Sequence, residues 1–83
     1  MIKVLNARLT APWVLAIDFS DHSHGVFDAN AYLVNRAWPL LKKLRDAAYF
    51  QRFFIDAGAL CWPNGFEIYP AKIYELAVVQ LAA

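Results

Sequence analysis

From Trp13 to Phe19 the chain alternates. Trp13, Leu15, Ile17 and Phe19 fall on one face, and Asp18 falls on the other. Period two of this kind predicts a half-buried strand. Residues Val4 to Leu9 repeat the pattern, with Leu5, Ala7 and Leu9 on one side and Asn6 and Arg8 opposite, and Thr10-Ala11-Pro12 supplies a turn between the two. Ser20 to Gly25 reads as a polar loop, after which Gly25 to Asp28 returns as a short strand. Three strands at this spacing predict an antiparallel meander.

The period then changes. Asp28 or Asn30 is placed to cap a short helix through Ala31, Tyr32, Leu33 and Val34. Pro39 suits a first helical position, with Leu40, Leu41 and Leu44 on one side and Lys42, Lys43 and Arg45 on the other. Asp46 caps a further turn through Phe50. The runs Phe53-Phe54-Ile55 and Ala59-Leu60-Cys61-Trp62 are almost continuously apolar, as strands covered on both faces are, and Asp56-Ala57-Gly58 turns between them. Phe66 to Ile68 is another short strand. Pro70 to Ala83 is expected to be helical, its start fixed because the proline keeps Tyr69 out of the helical region. Ile73, Tyr74, Ala77, Val78 and Leu81 form an apolar arc, and Leu76 and Val79 lie beside Lys72, Glu75 and Gln80, where a second chain is expected to meet them. The predicted class is α+β: a small antiparallel sheet, made of the N-terminal meander and a C-terminal hairpin, packed with short helices and a C-terminal helix.

Within this order the box Cys61-Trp62-Pro63-Asn64-Gly65-Phe66-Glu67-Ile68-Tyr69-Pro70 concentrates turn chemistry. Pro63 pre-sets φ for the first corner, and Asn64-Gly65 tolerates positive φ. Trp62 is large enough to anchor a sheet against a helix. Trp62, Pro63, Asn64, Gly65 and Pro70 therefore read as a structural corner; a pocket role for Asn64 or Glu67 is the weaker reading.

Composition changes the picture in one respect. The chain has 83 residues, one domain over 1–83, with 60% hydrophobic and only 18% charged residues. A domain this small buries about 60% of its unfolded surface, so apolar side chains remain outside, and such patches mark contact with other chains. A homodimer, a small protein partner, or both, are expected. Cys61 stands alone and allows no internal disulfide, while Lys3 and Arg8 interrupt the first apolar run, so a cytoplasmic location is expected. The apolar runs are too short to span a membrane.

A formal net charge of +1 excludes a strong electrostatic claim on nucleic acid by the whole molecule. Yet Arg36, Lys42, Lys43, Arg45 and Arg52 cluster, with only Asp46 opposing them. The plain reading is a solvated helix face, and the sharper one a docking patch for an acidic partner or phosphate. Trp38, Lys42, Lys43, Arg45, Leu76 and Val79 are the partner-binding candidates. A nucleic-acid-associated regulator using the 36–52 patch is the alternative, although no helix-turn-helix spacing appears.

Chemistry-bearing clusters are few. His22 and His24, near Asp18, Asp21 and Asp28, are weak candidates for a metal or for a small metal-binding enzyme, because no further His or Cys is spaced to complete a shell. The two serines share that loop, and the three glycines are isolated, so neither a nucleophile–base pair nor a phosphate-binding loop is evident. No catalytic residue, no cofactor and no enzymatic activity are expected.

The run Phe53-Phe54-Ile55-Asp56…Leu60-Cys61-Trp62-Pro63-Asn64-Gly65-Phe66-Glu67-Ile68-Tyr69-Pro70…Ile73-Tyr74 resembles the ending of the bacterial domain of unknown function 2442 family. Leu15-Ala16-Ile17-Asp18-Phe19-Ser20-Asp21 is similar to that family's strand and turn, in which glycine commonly follows the aspartate; here His22-Ser23-His24 intervenes before Gly25. The tail from Leu76 also runs past the family's usual end. The resemblance implies a small α+β domain without established activity. It further implies a neighbouring gene for another small protein, in arrangements that look like toxin–antitoxin pairs. It supplies no catalytic residues.

Overall fold

The computed structural model describes residues 1–34, 36 and 38–80, the side chains of 78–80 excepted. Strands β1 (Val4–Ala11), β2 (Val14–Phe19) and β3 (His24–Asp28) form the expected antiparallel meander. Alternation in β2 and β3 sends Leu15, Ile17, Phe19 and Phe27 into the core, each at most 2% exposed. Two details differ from the pattern. Leu5 leaves the apolar face, because a register shift between Val4 and Asn6 buries Val4 and exposes Leu5. Trp13 belongs to the turn instead of the strand, with φ at 61°. Pro12 takes the preceding corner, and a positive φ at the next residue closes a tight turn of this kind.

Helix α1 (Ala29–Val34) begins at Asp28, whose Oδ1 accepts from the Asn30 N–H at 3.0 Å. Helix α2 (Leu41–Leu44) starts later than the proline suggested: Pro39 and Leu40 form the turn before it, and Leu40 is 46% exposed. Only Leu41 and Leu44 enter the core. Asp46 caps α3 (Ala47–Phe50) by accepting from the Ala48 N–H at 3.0 Å.

Strands β4 (Phe54–Asp56), β5 (Ala59–Cys61) and β6 (Glu67–Ile68) make a second antiparallel sheet in that order, distinct from the meander. All of β5 is buried, as its unbroken apolar run requires. The expectation of two covered faces fails for β4, which is an edge strand and leaves Phe54 half exposed. Ala57 and Gly58 close the β4–β5 hairpin with φ at 51° and 81°, the two positive angles that the tightest hairpins need.

Helix α4 (Pro70–Leu76) opens on its proline, as predicted, with Tyr69 extended at φ −64°, ψ 151°. It stops far short of residue 83. Ala77 turns extended at ψ 149°, and Val78–Gln80 form β7, which pairs antiparallel with β3 through Gly25↔Val79. β-Branched Val78 and Val79 favour the extended state, and the free edge of β3 offers the ladder that a helix would forgo. The first sheet thus has the order β1-β2-β3-β7. Leu81 to Ala83, where the predicted helix would have ended, lie outside the described residues.

Helix α4 packs on β3 of one sheet and β5 of the other, joining both to one core. Ile73 is fully buried at this junction, and Phe19 meets Tyr74 edge-on at 4.9 Å between ring centroids. A radius of gyration of 12.0 Å equals that of a tightly packed chain of this length, about 12 Å. Apolar side chains left at the surface are therefore not a sign of loose packing. Among the described residues no helix is long and apolar enough to cross a membrane.

Candidate functional site

The tryptophan box is a clamp. The Gly65 N–H donates to the Trp62 carbonyl at 3.0 Å, and Gly65 takes the positive φ of 92° while Asn64 does not. Trp62 is 1% exposed, lies between Phe50 and Phe66, and its indole N–H donates to the Phe50 carbonyl at the end of α3, at 2.9 Å. Asn64 works in two directions: its Oδ1 accepts from the Phe66 N–H at 3.1 Å, and its Nδ2 donates to the Leu40 carbonyl at 2.9 Å. Each end of the Asn64 amide thus bonds backbone, which favours the structural reading of this residue over the pocket one. Glu67 is exposed on β6, with a carboxylate oxygen 3.9 Å from the Cys61 sulfur. Burial, followed by the charges of Glu67 and Asp56, pushes the Cys61 thiol above its ordinary pKa, which keeps it unreactive.

Asn64 leads to the stretch from the end of α1 to the start of α2, which carries several exposed apolar residues. Val34, the last residue of α1, is 77% exposed and Trp38 54% exposed. Side chains hold carbonyls at the end of α1 and at Arg36 and Leu40. Arg45 Nη2 donates to Leu33 O at 3.1 Å and to Arg36 O at 2.8 Å, and Arg36 Nη1 donates to Tyr32 O at 3.3 Å. The Arg36 guanidinium lies 4.0 Å from the Tyr32 ring centroid and 5.8 Å from that of Trp38, a cation–π geometry.

Beside this segment Trp13, Asn30, Leu33, Val34 and Arg45 line an open groove of about 400 Å³. Trp13 occupies a backbone conformation that is costly for a bulky side chain, and its bonds hold it there. Its indole N–H donates to the Leu44 carbonyl at 2.8 Å, and its own carbonyl accepts from the Ala29 N–H at 2.8 Å. The hairpin corner, the start of α1 and the end of α2 meet at this residue.

Further basic residues of the 36–52 stretch find aromatic faces instead of carboxylates. Lys43 Nζ stands 5.3 Å from the Tyr49 ring centroid, with Arg52 at 5.7 Å from the same ring. Lys42, Lys43 and Arg45 are exposed. Asp46 is occupied as a helix cap. Among the described residues, the ion pairs are His24–Asp18 and Lys72–Glu75, so no carboxylate answers the cations of residues 36–52.

The structure divides the sequence-predicted candidates. Trp38, Lys42, Lys43 and Arg45 share one region. Leu76 does not belong there: it is partly buried against the core and offers no free helix face. Val79 sits in β7, paired to Gly25, and its side chain lies outside the described part. Sequence reasoning missed Trp13, Leu33 and Val34 as one wall; the Pro12-Trp13 turn was the available signal.

His22 and His24 do not form the shared face that an H-x-H strand would give. His22 is in the loop at φ 71°, in the left-handed conformation that a glycine after Asp21 would adopt without strain. His24 starts β3, where its Nδ1 lies 2.8 Å from Asp18 Oδ1 across the sheet. His24, then the Asn6 amide, hold the Asp18 carboxyl below its ordinary value of 3.8. Asp21 is likewise lowered, first by the Ser23 hydroxyl and N–H and more weakly by the Tyr74 hydroxyl. That hydroxyl donates to Asp21 at 2.9 Å, tying the loop to α4. The Asp18–His24 pair borders a second open groove lined by Arg8, Ala16 and Val26. Among the described residues no three His, Cys, Asp or Glu side chains gather to hold a metal ion.

Fold and sites together define a small α+β domain whose tryptophan box is held by hydrogen bonds and packing and whose exposed chemistry around residues 34–52 is aromatic and basic. Residues 4–78 match the model of a family described as Protein of unknown function (DUF2442), and the chain belongs to that family. The match reaches Val78, the first residue of β7, and residues 79–83 run past it. Comparisons with curated proteins and with solved structures return no match.

Proposed function

We propose that this protein is a non-enzymatic interaction module, covered in use by another polypeptide: a second copy, a small protein partner, or one of each on different faces. The carrying observation is the exposed set Val34, Trp38 and Leu40, flanked by carbonyls at the end of α1, at Arg36 and at Leu40 that accept from Arg36, Arg45 and Asn64 side chains. Anchored neighbours lower the ordering cost on binding, and tryptophan and arginine are the residues that dominate interfaces. The family resemblance supports a role as the antitoxin-like or regulatory member of a small bacterial gene pair. A cytoplasmic location goes with this reading.

A tagged copy in its own host is expected to co-purify with a polypeptide, and Trp38→Ala is expected to lose that companion while keeping the native circular dichroism spectrum. A strict monomer by sedimentation at high concentration, with no companion recovered, overturns the proposal.

A further inference from the structure

On the reading that this protein is an interaction module, we propose that the groove of Trp13, Leu33 and Val34, with the cations of α2 beside it, docks an acidic segment of a different polypeptide.

Three observations select this occupant. The groove wall is apolar on the Trp13, Leu33 and Val34 side and cationic at Arg45, with a volume that seats one bulky apolar side chain. Arg45 lines the groove, and the cations of residues 36–52 as a group are uncompensated: Arg36, Lys43 and Arg52 rest against aromatic rings, Lys42 and Arg45 are exposed, and no carboxylate of the described residues pairs with any of them. A surface arranged in this way is complementary to an apolar anchor flanked by carboxylates, since complementary charge fixes partner choice and speeds encounter.

The other occupants fit less well. A second copy docking through this same face in a two-fold dimer would set like charges against each other, which costs free energy. Asp18, Asp21, Asp28 and Asp46 are each engaged by hydrogen bonds within the chain, and Glu75 faces Lys72. The remaining carboxylates, Asp56 and Glu67, are exposed on the second sheet, so a copy offering them would meet the groove through a different face, in a head-to-tail contact that does not close as a two-fold pair. Nucleic acid needs cations spaced along a phosphate track, whereas here Arg45 borders an apolar recess and three of the other cations are already stacked on aromatic faces.

The test places photo-crosslinking benzoylphenylalanine at Val34 in the full chain, expressed in its own host, with Val26 on the outer face of the first sheet as the control position. Val34 is expected to give a discrete adduct with a different polypeptide, mapped by mass spectrometry to a segment of net negative charge. The adducted protein, purified, then serves as the probe. Its affinity is expected to fall about tenfold with Lys42→Glu/Lys43→Glu, and by a similar factor between low and moderate salt. Lys42→Gln/Lys43→Gln provides the milder variant should charge reversal disturb the fold, and an intermediate loss is expected from it. An adduct with a second copy, with nucleic acid, or with a segment lacking net negative charge overturns the proposal, as does affinity indifferent to both variants and to salt. An adduct at Val26 but not at Val34 rejects this face while leaving the interaction module standing. Silence at both positions, from a strictly monomeric protein, rejects both.

Discussion

Gly58 and Gly65 both adopt positive φ, at 81° and 92°, but their surroundings differ. A Cβ on Gly65 meets nothing within 4 Å, so Gly65→Ala is expected to cost about 1 kcal/mol from backbone strain alone. A Cβ on Gly58 would stand 2.8 Å from both Cβ and Cγ of Lys3. Lys3 cannot withdraw cheaply, because the next residue, Val4, donates its N–H to the Gly58 carbonyl at 2.9 Å. Gly58→Ala is therefore expected to cost about 2–4 kcal/mol, adding overpacking to strain; urea denaturation of the two variants measures the difference. Both glycines are legible in the sequence as turn residues. The crowding at Gly58 is not, since it comes from the opposite end of the chain. Trp13 shows the same boundary: its alternation with Leu15 is real, but Pro12 sets the turn and the contact with Leu44 decides where the indole goes.

Among the elements, those specified by local chemistry are the ones that sequence reasoning placed. Asp46 caps α3, Pro70 opens α4, and the Pro63–Gly65 corner turns as its residues demand. The end of α4 was not legible, because Val78 satisfies a helix arc and a strand equally well, and Val79, off that arc, reads as a contact for a second chain. What decides is the edge of β3, a tertiary feature. Trp62 likewise joins elements that are distant in sequence. Trp62→Phe keeps most of the packing but leaves the Phe50 carbonyl without its donor in a buried site. A loss of about 2–3 kcal/mol is expected, with the largest drop in amide protection in α3; an unchanged thermal midpoint would remove the clamp role from the indole N–H. The candidate site was half legible: charge clustering pointed to Lys42, Lys43 and Arg45, whereas the recess beside them depends on a turn, a helix and a hairpin converging.

For the molecule as a whole, acid is a probe of how the meander is held. Asp18 and Asp21 both have folded-state pKa values lowered from 3.8. Each therefore contributes stability that is present above about pH 3.8 and is lost as pH falls through the lower folded value. The thermal midpoint is expected to drop on acidification below that pH, and Asp21→Asn to flatten the slope there; an identical slope in the variant would show that the Ser23 and Tyr74 contacts confer no linkage. The segment from Val34 to Leu40 has a different consequence at this scale. Arg45 and Asn64 bond the carbonyl oxygens of Arg36 and Leu40, and carbonyls are the same whatever side chains the residues carry. Exchanges at Val34, Trp38 or Leu40 therefore alter the exposed surface while leaving these two anchoring bonds in place.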